Sequence, residues 1–315
     1  MEKKKKSAKE LCNAIIPILG TSSSIEVLRE LFIRDLIIIW TESMRMVDSN
    51  DGIPPVAKEI RRKFSSDLSE IFQMISKKLL QLEEGFYLED RNTKCPYINS
   101  NGHVPIFVTP DQAAEYLLKK GKNGYYLQTT RIQDDNIESF LRQCFYIIGA
   151  FGVFIYVNEH YMEIPAVAFF ENPGLPNETE ETNIHLNPDF MRNLCLFEHE
   201  LKKDNPNEDL FSLWESALCK ELKKAVFVIP VKTNEENKST LITPILNGEN
   251  NQIRGLPIFT DWLQFATHFN TEEWNGAYYT AEELLKYSAK DYFVINFKTN
   301  NLTFSRARIK DMLSR

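Results

Sequence analysis

Glycine is scarce in this chain, 12 in 315 residues, and the loops that cradle phosphate groups are missing with it. Neither a Walker loop, nor a G-x-G-x-x-G dinucleotide turn, nor a G-x-S-x-G nucleophile elbow occurs. Positive charge is in deficit: 37 Lys and Arg stand against 44 Asp and Glu, a net charge of -7. Such a balance repels phosphate backbones, so no nucleic acid is expected as a partner. The one dense basic run, Lys3–Lys6, reads as a solvated tail. Long apolar runs are absent too. Arg29, Glu30, Arg34 and Asp35 interrupt Leu28–Trp40, well short of the ~20 apolar residues of a membrane span, so no membrane partner is expected. Leu11–Leu19 after the basic run has the outline of a signal peptide, but Glu10, Asn13 and Pro17 spoil it. Close cysteine pairs are also lacking. Cys12, Cys95, Cys144, Cys195 and Cys219 are scattered, at no spacing of a redox pair or zinc knuckle. That is the usage of a reducing compartment, and a cytoplasmic location is expected.

What is present is globular material with helical and strand-like segments in turn. Ile25–Val47 reads as a helix started by the Ser22–Ser24 caps, with Leu28, Leu31, Phe32, Leu36, Ile39 and Trp40 on one face. Asn50-Asp51-Gly52 and Pro54-Pro55 make the turn into a second helix. Its stripe runs from Val56 through Ile60, Phe64, Leu68, Ile71 and Ile75 to Leu79 and Leu82, so residues 1–85 are expected as a helical hairpin packed on itself or on the next unit. From Phe86 onward strands are expected: Val104–Phe107, Tyr125–Ile132, Gly152–Asn158 and a hairpin partner at Ile164–Phe170. Between them, Thr109-Pro110-Asp111 starts a helix that Gly121 ends, and Ile137–Ile148 is a second helix. The acidic, Pro- and Gly-bearing stretch 171–187 reads as a linker. Helices at Pro188–Lys203 and Glu208–Lys224 lead to the strand Ala225–Val231, which Leu241–Leu246 answers as a hairpin.

The second half echoes the first. Val104-Pro105-Ile106-Phe107 matches Leu256-Pro257-Ile258-Phe259, each leading through a Thr and an Asp into a helix. Asn123-Gly124-Tyr125-Tyr126 matches Asn275-Gly276-Ala277-Tyr278-Tyr279 at the same separation. Phe154–Asn158 matches Tyr292–Asn296 at a shorter one, which implies a longer intervening helix in the first copy. The expected fold class is α+β: a helical hairpin, then two related units, each a mostly antiparallel sheet with helices packed on one face. The units are 86–170 and 188–315.

On these residues, Lys224–Ser314 resembles the N-terminal domain of the SseB (enhanced serine sensitivity) protein family of bacteria. The likeness rests on Ala225–Val231, Thr240–Leu246, the Leu256–Asp261 core, Phe293–Asn296 and a last strand at Asn301–Phe304. A preceding helix with Leu210, Leu213, Trp214 and Leu218 fits the family's opening helix, and Val104–Phe170 is a weaker second copy. The resemblance implies a packing pattern and transfers no catalytic residue.

Chemistry is sparse. Around His185, Glu198, His199 and Glu200 the H-E-x-x-H spacing that puts two imidazoles on one helix face is missing, so this reads as a solvated face. Cys144 and Cys195 sit among apolar neighbours, and only Cys95, in a loop before Pro96, looks exposed. Asp134-Asp135 and Glu282-Glu283 suit helix starts. No catalytic, cofactor-binding or metal-binding residue is named, and no cofactor is expected. The aromatics Tyr125, Tyr126, Trp262, Trp274, Tyr278 and Tyr279 are the candidate protein interface, since aromatic side chains bury much surface for few lost rotamers. The expectation is a non-catalytic protein-binding module of the SseB-like type, in a regulatory, accessory or immunity-type role, with another protein as partner. The alternatives are an enzyme whose site assembles only in space and, disfavoured by charge, a nucleic-acid binder.

Overall fold

The computed structural model describes residues 7–21, 23–49, 54–132, 137–170, 186–233, 241–242, 246–247, 254–297, 299–300 and 302–315. Ser7 and Glu10 exchange the reciprocal hydrogen bonds of a capping box and so start α1 (Ala8–Ile15). The long helix expected next is two, α2 (Ser24–Arg29) and α3 (Ile33–Ser49). Its serine caps do not operate as expected. Ser23 holds the cap position, but its hydroxyl meets that of Thr21 at 3.3 Å and caps no helix amide; the Ser24 hydroxyl donates to the Thr21 carbonyl, and Ser22 lies outside the described residues. The break falls at Glu30–Phe32, and Phe32 is 72% exposed instead of buried. Turning the chain there seats Leu28 beside α4 (Pro54–Leu80), while α3 packs on both α1 and α4. Of the α4 stripe, Ile71, Ile75 and Leu79 are buried; the side chains of Val56, Ile60 and Phe64 lie outside the described residues.

The first sheet contains β1 (Phe86–Asp90), β2 (His103–Phe107), β3 (Leu127–Arg131), β4 (Gly152–Val157) and β5 (His160–Pro165), in the order β3-β1-β2-β4-β5. Only β2 and β4 are parallel. α5 (Pro110–Lys120) joins β2 to β3. Its Thr109 cap, Pro110 and terminal Gly121 at φ 55° are the local signals read in the sequence, and Gln112 completes a capping box that the reading did not include. α6 (Ile137–Arg142) continues as a π-helical turn, Gln143–Ile147. The hairpin partner of β4 begins earlier than Ile164, because Asn158 adopts φ 57° and closes a two-residue turn that pairs Val157 with His160. Strand alternation splits the side chains. Phe86, Leu88, Phe107 and Tyr156 meet Ala113, Tyr116 and Leu117 of α5, while Val104, Ile106, Val153, Ile155 and Met162 face the main core. The helices of the main core, with α3 lying along β4 and β5, form one covering layer. α5 adds cover on the opposite face.

α7 (Pro188–Leu201) and α8 (Glu208–Leu222) follow, packed on each other. The second sheet contains β6 (Val226–Thr233), β7 (Leu241–Ile242), β8 (Leu246–Asn247), β9 (Arg254–Ile258), β10 (Asn275–Thr280), β11 (Tyr292–Ile295) and β12 (Leu302–Ser305). α9 (Trp262–His268) and α10 (Ala281–Tyr287) link its strands, and α11 (Arg306–Ser314) ends the chain. The expected hairpin mate of β6 divides: Leu241 and Ile242 pair with it, whereas Leu246 pairs with β9. Reciprocal backbone bonds of 2.8 Å between Val228 and Phe259 fasten β6 to β9, so the strands run β10-β6-β9-β11-β12. β9 and β11 are parallel, and β6–β10 and β11–β12 antiparallel.

Strand for strand, this order and these senses are those of the first sheet. Ile106 and Ile258 face the main core, while Phe107 and Phe259 point to the other face, under α5 and α9. Asn158 and Asn296, each directly after the fourth strand in that order, both lie at positive φ, 57° and 49°. The Asn-Gly-Tyr-Tyr match does not coincide in the same way: Gly124 closes a 3-10 turn, whereas Gly276 is inside β10. α5 has 11 residues and α9 only 7, so the common separation is lost across the helix.

One apolar cluster joins α1, α3, α4, both sheets, α7, α8 and α11. The core therefore crosses the expected divisions at 85 and 188. Of the expected linker 171–187, residues 171–185 lie outside the described residues. Asn187, at its end, donates from Nδ2 to the carbonyls of Val226 (2.8 Å) and Thr260 (2.6 Å) and accepts from the Val226 amide at 3.1 Å.

Candidate functional site

Edge strands carry the candidate aromatics. β3 and β10 each end their sheet, paired on one side only among the described residues. They hold equivalent places, and Tyr125-Tyr126 sits at the start of one while Trp274, Tyr278 and Tyr279 lie in or beside the other. The six do not form one surface. Tyr125 is exposed, but Tyr126 is buried: its hydroxyl donates to the His199 carbonyl at 3.3 Å, and its ring stacks 6.0 Å from the His199 ring. Tyr126 is thus a core residue that anchors the start of β3.

Around β10 the arrangement is more open. Gly276 leaves room for the Trp262 indole, which a Cβ at that position would meet at 2.4 Å. Trp262 packs on Phe265 at 4.7 Å, Phe265 stacks on Phe269, and Trp274 meets Phe269 edge-on at 5.4 Å. The Lys232 ammonium lies 4.9 Å from the Trp274 ring centre. By alternation Tyr278 shares the face of Gly276, while Tyr279 points the other way and meets Tyr287 at 6.0 Å. Trp262 and Trp274 are half-buried and Tyr278 exposed, so one side of this open edge presents three aromatic groups held on a packed base. Sequence patterning found the aromatics. It missed that the strand beside them is an edge strand among the described residues, because strand order is set by distant residues.

The polar residues examined for metal chemistry lie elsewhere. α7 is buried on nearly every side, which overturns the reading of Glu198–Glu200 as a solvated face. His199 stacks between Tyr126 and Tyr97, 5.1 Å from the latter, and burial lowers its pKa to about 4. Its Nδ1 has no hydrogen-bond partner among the described residues. Glu200 accepts from the Asn207 amide at 2.7 Å and pairs with Lys203; burial, reinforced by the nearby Glu200 charge, pushes Tyr97 up to about 12. Asp90, fully buried, pairs with Lys202 and accepts from the amides of Asn92 and Thr93 at 2.9 Å each. Burial alone would raise its pKa, but these partners outweigh it and hold the carboxyl below its ordinary range. The result is a fastening of α7 to the β1 turn. Such pairing fixes geometry and offers no reactive group to a substrate.

Cys95 is 2% exposed, contrary to expectation, because the chain after β1 folds back: Asp90 donates its amide to the Cys95 carbonyl at 2.9 Å. Burial raises the thiol pKa of Cys144, and a hydrogen bond with Cys95 followed by burial raises that of Cys195. Thiols held protonated in this way are poor nucleophiles. Among the described residues no group of three or more His, Cys, Asp and Glu side chains could hold a metal ion. His185 and the Asp134-Asp135 pair lie outside the described residues. Glu283 accepts from the Thr280 amide and hydroxyl, the helix-start role expected of it. No described helix is long and apolar enough to cross a membrane.

No family model, no curated protein and no solved structure matches the chain.

Proposed function

We propose that this protein is a non-catalytic binding module that takes an extended segment of another protein along the open edge of β10. The observation that carries the reading is a six-residue strand that, among the described residues, pairs only with β6 and is flanked by Trp262, Trp274 and Tyr278. An unpaired edge offers amide and carbonyl groups to an incoming strand, and the aromatic side chains beside it supply apolar anchor surface. Duplication of one ancestral unit accounts for the common strand order, with β3 as the counterpart of β10. The role served is regulatory, accessory or immunity-type, in a bacterial cytoplasm.

Affinity capture with mass spectrometry tests this. The wild-type chain is expected to retain a discrete partner that a Trp274→Ala/Tyr278→Lys variant loses, since removing an anchor and charging the edge both disfavour strand addition. Tyr278→Lys alone, at an exposed position, is expected to keep its melting temperature within a few degrees and to lose the partner too, and circular dichroism checks that the double variant, which also loses the Trp274 packing on Phe269, is folded. Recovery of the same proteins by both chains would refute the assignment of the edge.

A further inference from the structure

Apart from the edge strands, the two sheet units meet across a cleft. One wall is α6 and its π-turn; the other is α9 together with Thr299, beyond β11. The cavity measures about 550 Å³, and neighbouring hollows of about 450 and 280 Å³ share the Gln143 side chain with it. A volume of this order suits a small molecule, for which pockets of roughly 300–1,000 Å³ are usual, often at a junction of units. The place also follows from topology. β9 and β11 run parallel, and the α9 wall and Thr299 lie beyond their carboxyl ends, where open α/β sheets leave crevices. The π-turn opposite is a conformation concentrated at functional sites.

The lining states what would bind. Gln143 has an exposed carboxamide with no partner among the described residues. Gln264 accepts the Thr299 hydroxyl at Oε1, 2.8 Å away, which leaves its Nε2 free to donate. The Asn296 carbonyl, 3.0 Å from the same hydroxyl, shares its one proton with Gln264, and Asn296 is locked to Thr260 and Asn300, so this wall is held in place before any ligand arrives. Charge is cancelled on the spot. Arg142 grips Glu138 through two bonds of 3.0 and 2.8 Å and covers the Phe170 ring at 4.1 Å. An ionic ligand would find a counter-charge only by displacing this pair. Leu263, Ile147 and Tyr146 supply the apolar part of the lining.

We infer that this cleft binds an uncharged small molecule that presents an amide-like donor beside an acceptor on an apolar body. A glutamine carboxamide, itself a donor beside an acceptor, is the natural complement of such a group. The site is separate from the β10 edge, and neither inference depends on the other.

Three probes of one shape isolate the charge: benzamide, benzoate and benzamidinium, each offered to the full chain and followed by saturation-transfer NMR. Benzamide is expected to bind at millimolar concentration and its charged analogues not. Gln143→Leu keeps the size of an exposed side chain while removing its amide, and is expected to weaken benzamide binding about tenfold, as loss of one well-made hydrogen bond does. Gln264→Leu is expected to do the same, with circular dichroism confirming the fold. Absence of benzamide binding, equal binding of either ion, or unchanged affinity in Gln143→Leu would overturn the inference.

Discussion

His199 shows how much one side chain can decide. Its folded pKa, about 4, lies below the ordinary histidine value of ~6.5, so between those limits the unfolded chain binds more protons than the folded one. Stability therefore falls as pH drops from about 6.5 towards 4, by up to ~3 kcal/mol. Asp90 acts in a lower window. Its depressed carboxyl stabilises the fold above the unfolded carboxylate range near ~3.9 and gives up that contribution as acid titrates it below that. Urea midpoints measured from pH 7 to 4 are expected to decline in the wild type and to stay nearly level in His199→Phe, whose ring can keep the contacts with Tyr97 and Tyr126. A slope that persists in the variant would place its origin elsewhere. Little of this was legible in the sequence. Phe197-Glu198-His199-Glu200 reads as a wet surface because its partners, Tyr97, Tyr126 and Asp90, stand far away along the chain. Cys95 misled for the same reason: a cysteine before proline suggests a loop, and the loop is there, but Asp90 draws it inward.

Among the elements, α7 lies so close to the turn before β4 that no side chain fits between. A Cβ on Gly149, which has φ +76°, would come within 2.1 Å of the Pro188 carbonyl oxygen. Gly149→Ala combines left-handed strain with a backbone clash and is expected to cost about 2 kcal/mol or more. Thermal unfolding checks this, with Gly121→Ala as the comparison, since Gly121 has a similar positive φ and nothing within 4 Å. An equal loss in both variants would show that the dihedral alone matters. Starts and stops of elements were the legible part of the fold. Thr109 and Asp261 were read at helix starts because a cap acts over three residues, and each accepts from the amide three positions on. The break between α2 and α3 was hidden because apolar spacing runs through it without interruption. For the candidate edge the sequence supplied Trp262, Trp274 and Tyr278, whereas the free side of β10 depends on β6 pairing across it.

At the scale of the whole molecule the question is cooperativity. One apolar cluster joins the helical head, both sheets and α7, so the main core is shared among the expected units, and each sheet keeps only a smaller cluster of its own under α5 or α9. Differential scanning calorimetry of the full chain is expected to show a single transition, with calorimetric and van't Hoff enthalpies in agreement. Residues 86–170 expressed alone are expected to lack sharp amide resonances. Two separate transitions would mean that the units fold independently despite the common core.

Synthesis proceeds from the amino end, and here that direction matters. The first sheet is complete once Pro165 has left the ribosome, but the helix that closes over the β1 turn ends only at Leu201. Until then Tyr97, Tyr126 and the Asp90 carboxylate await His199 and Lys202. A nascent chain halted between those points exposes an apolar and partly charged hollow of its own making, the kind of surface that chaperones cover.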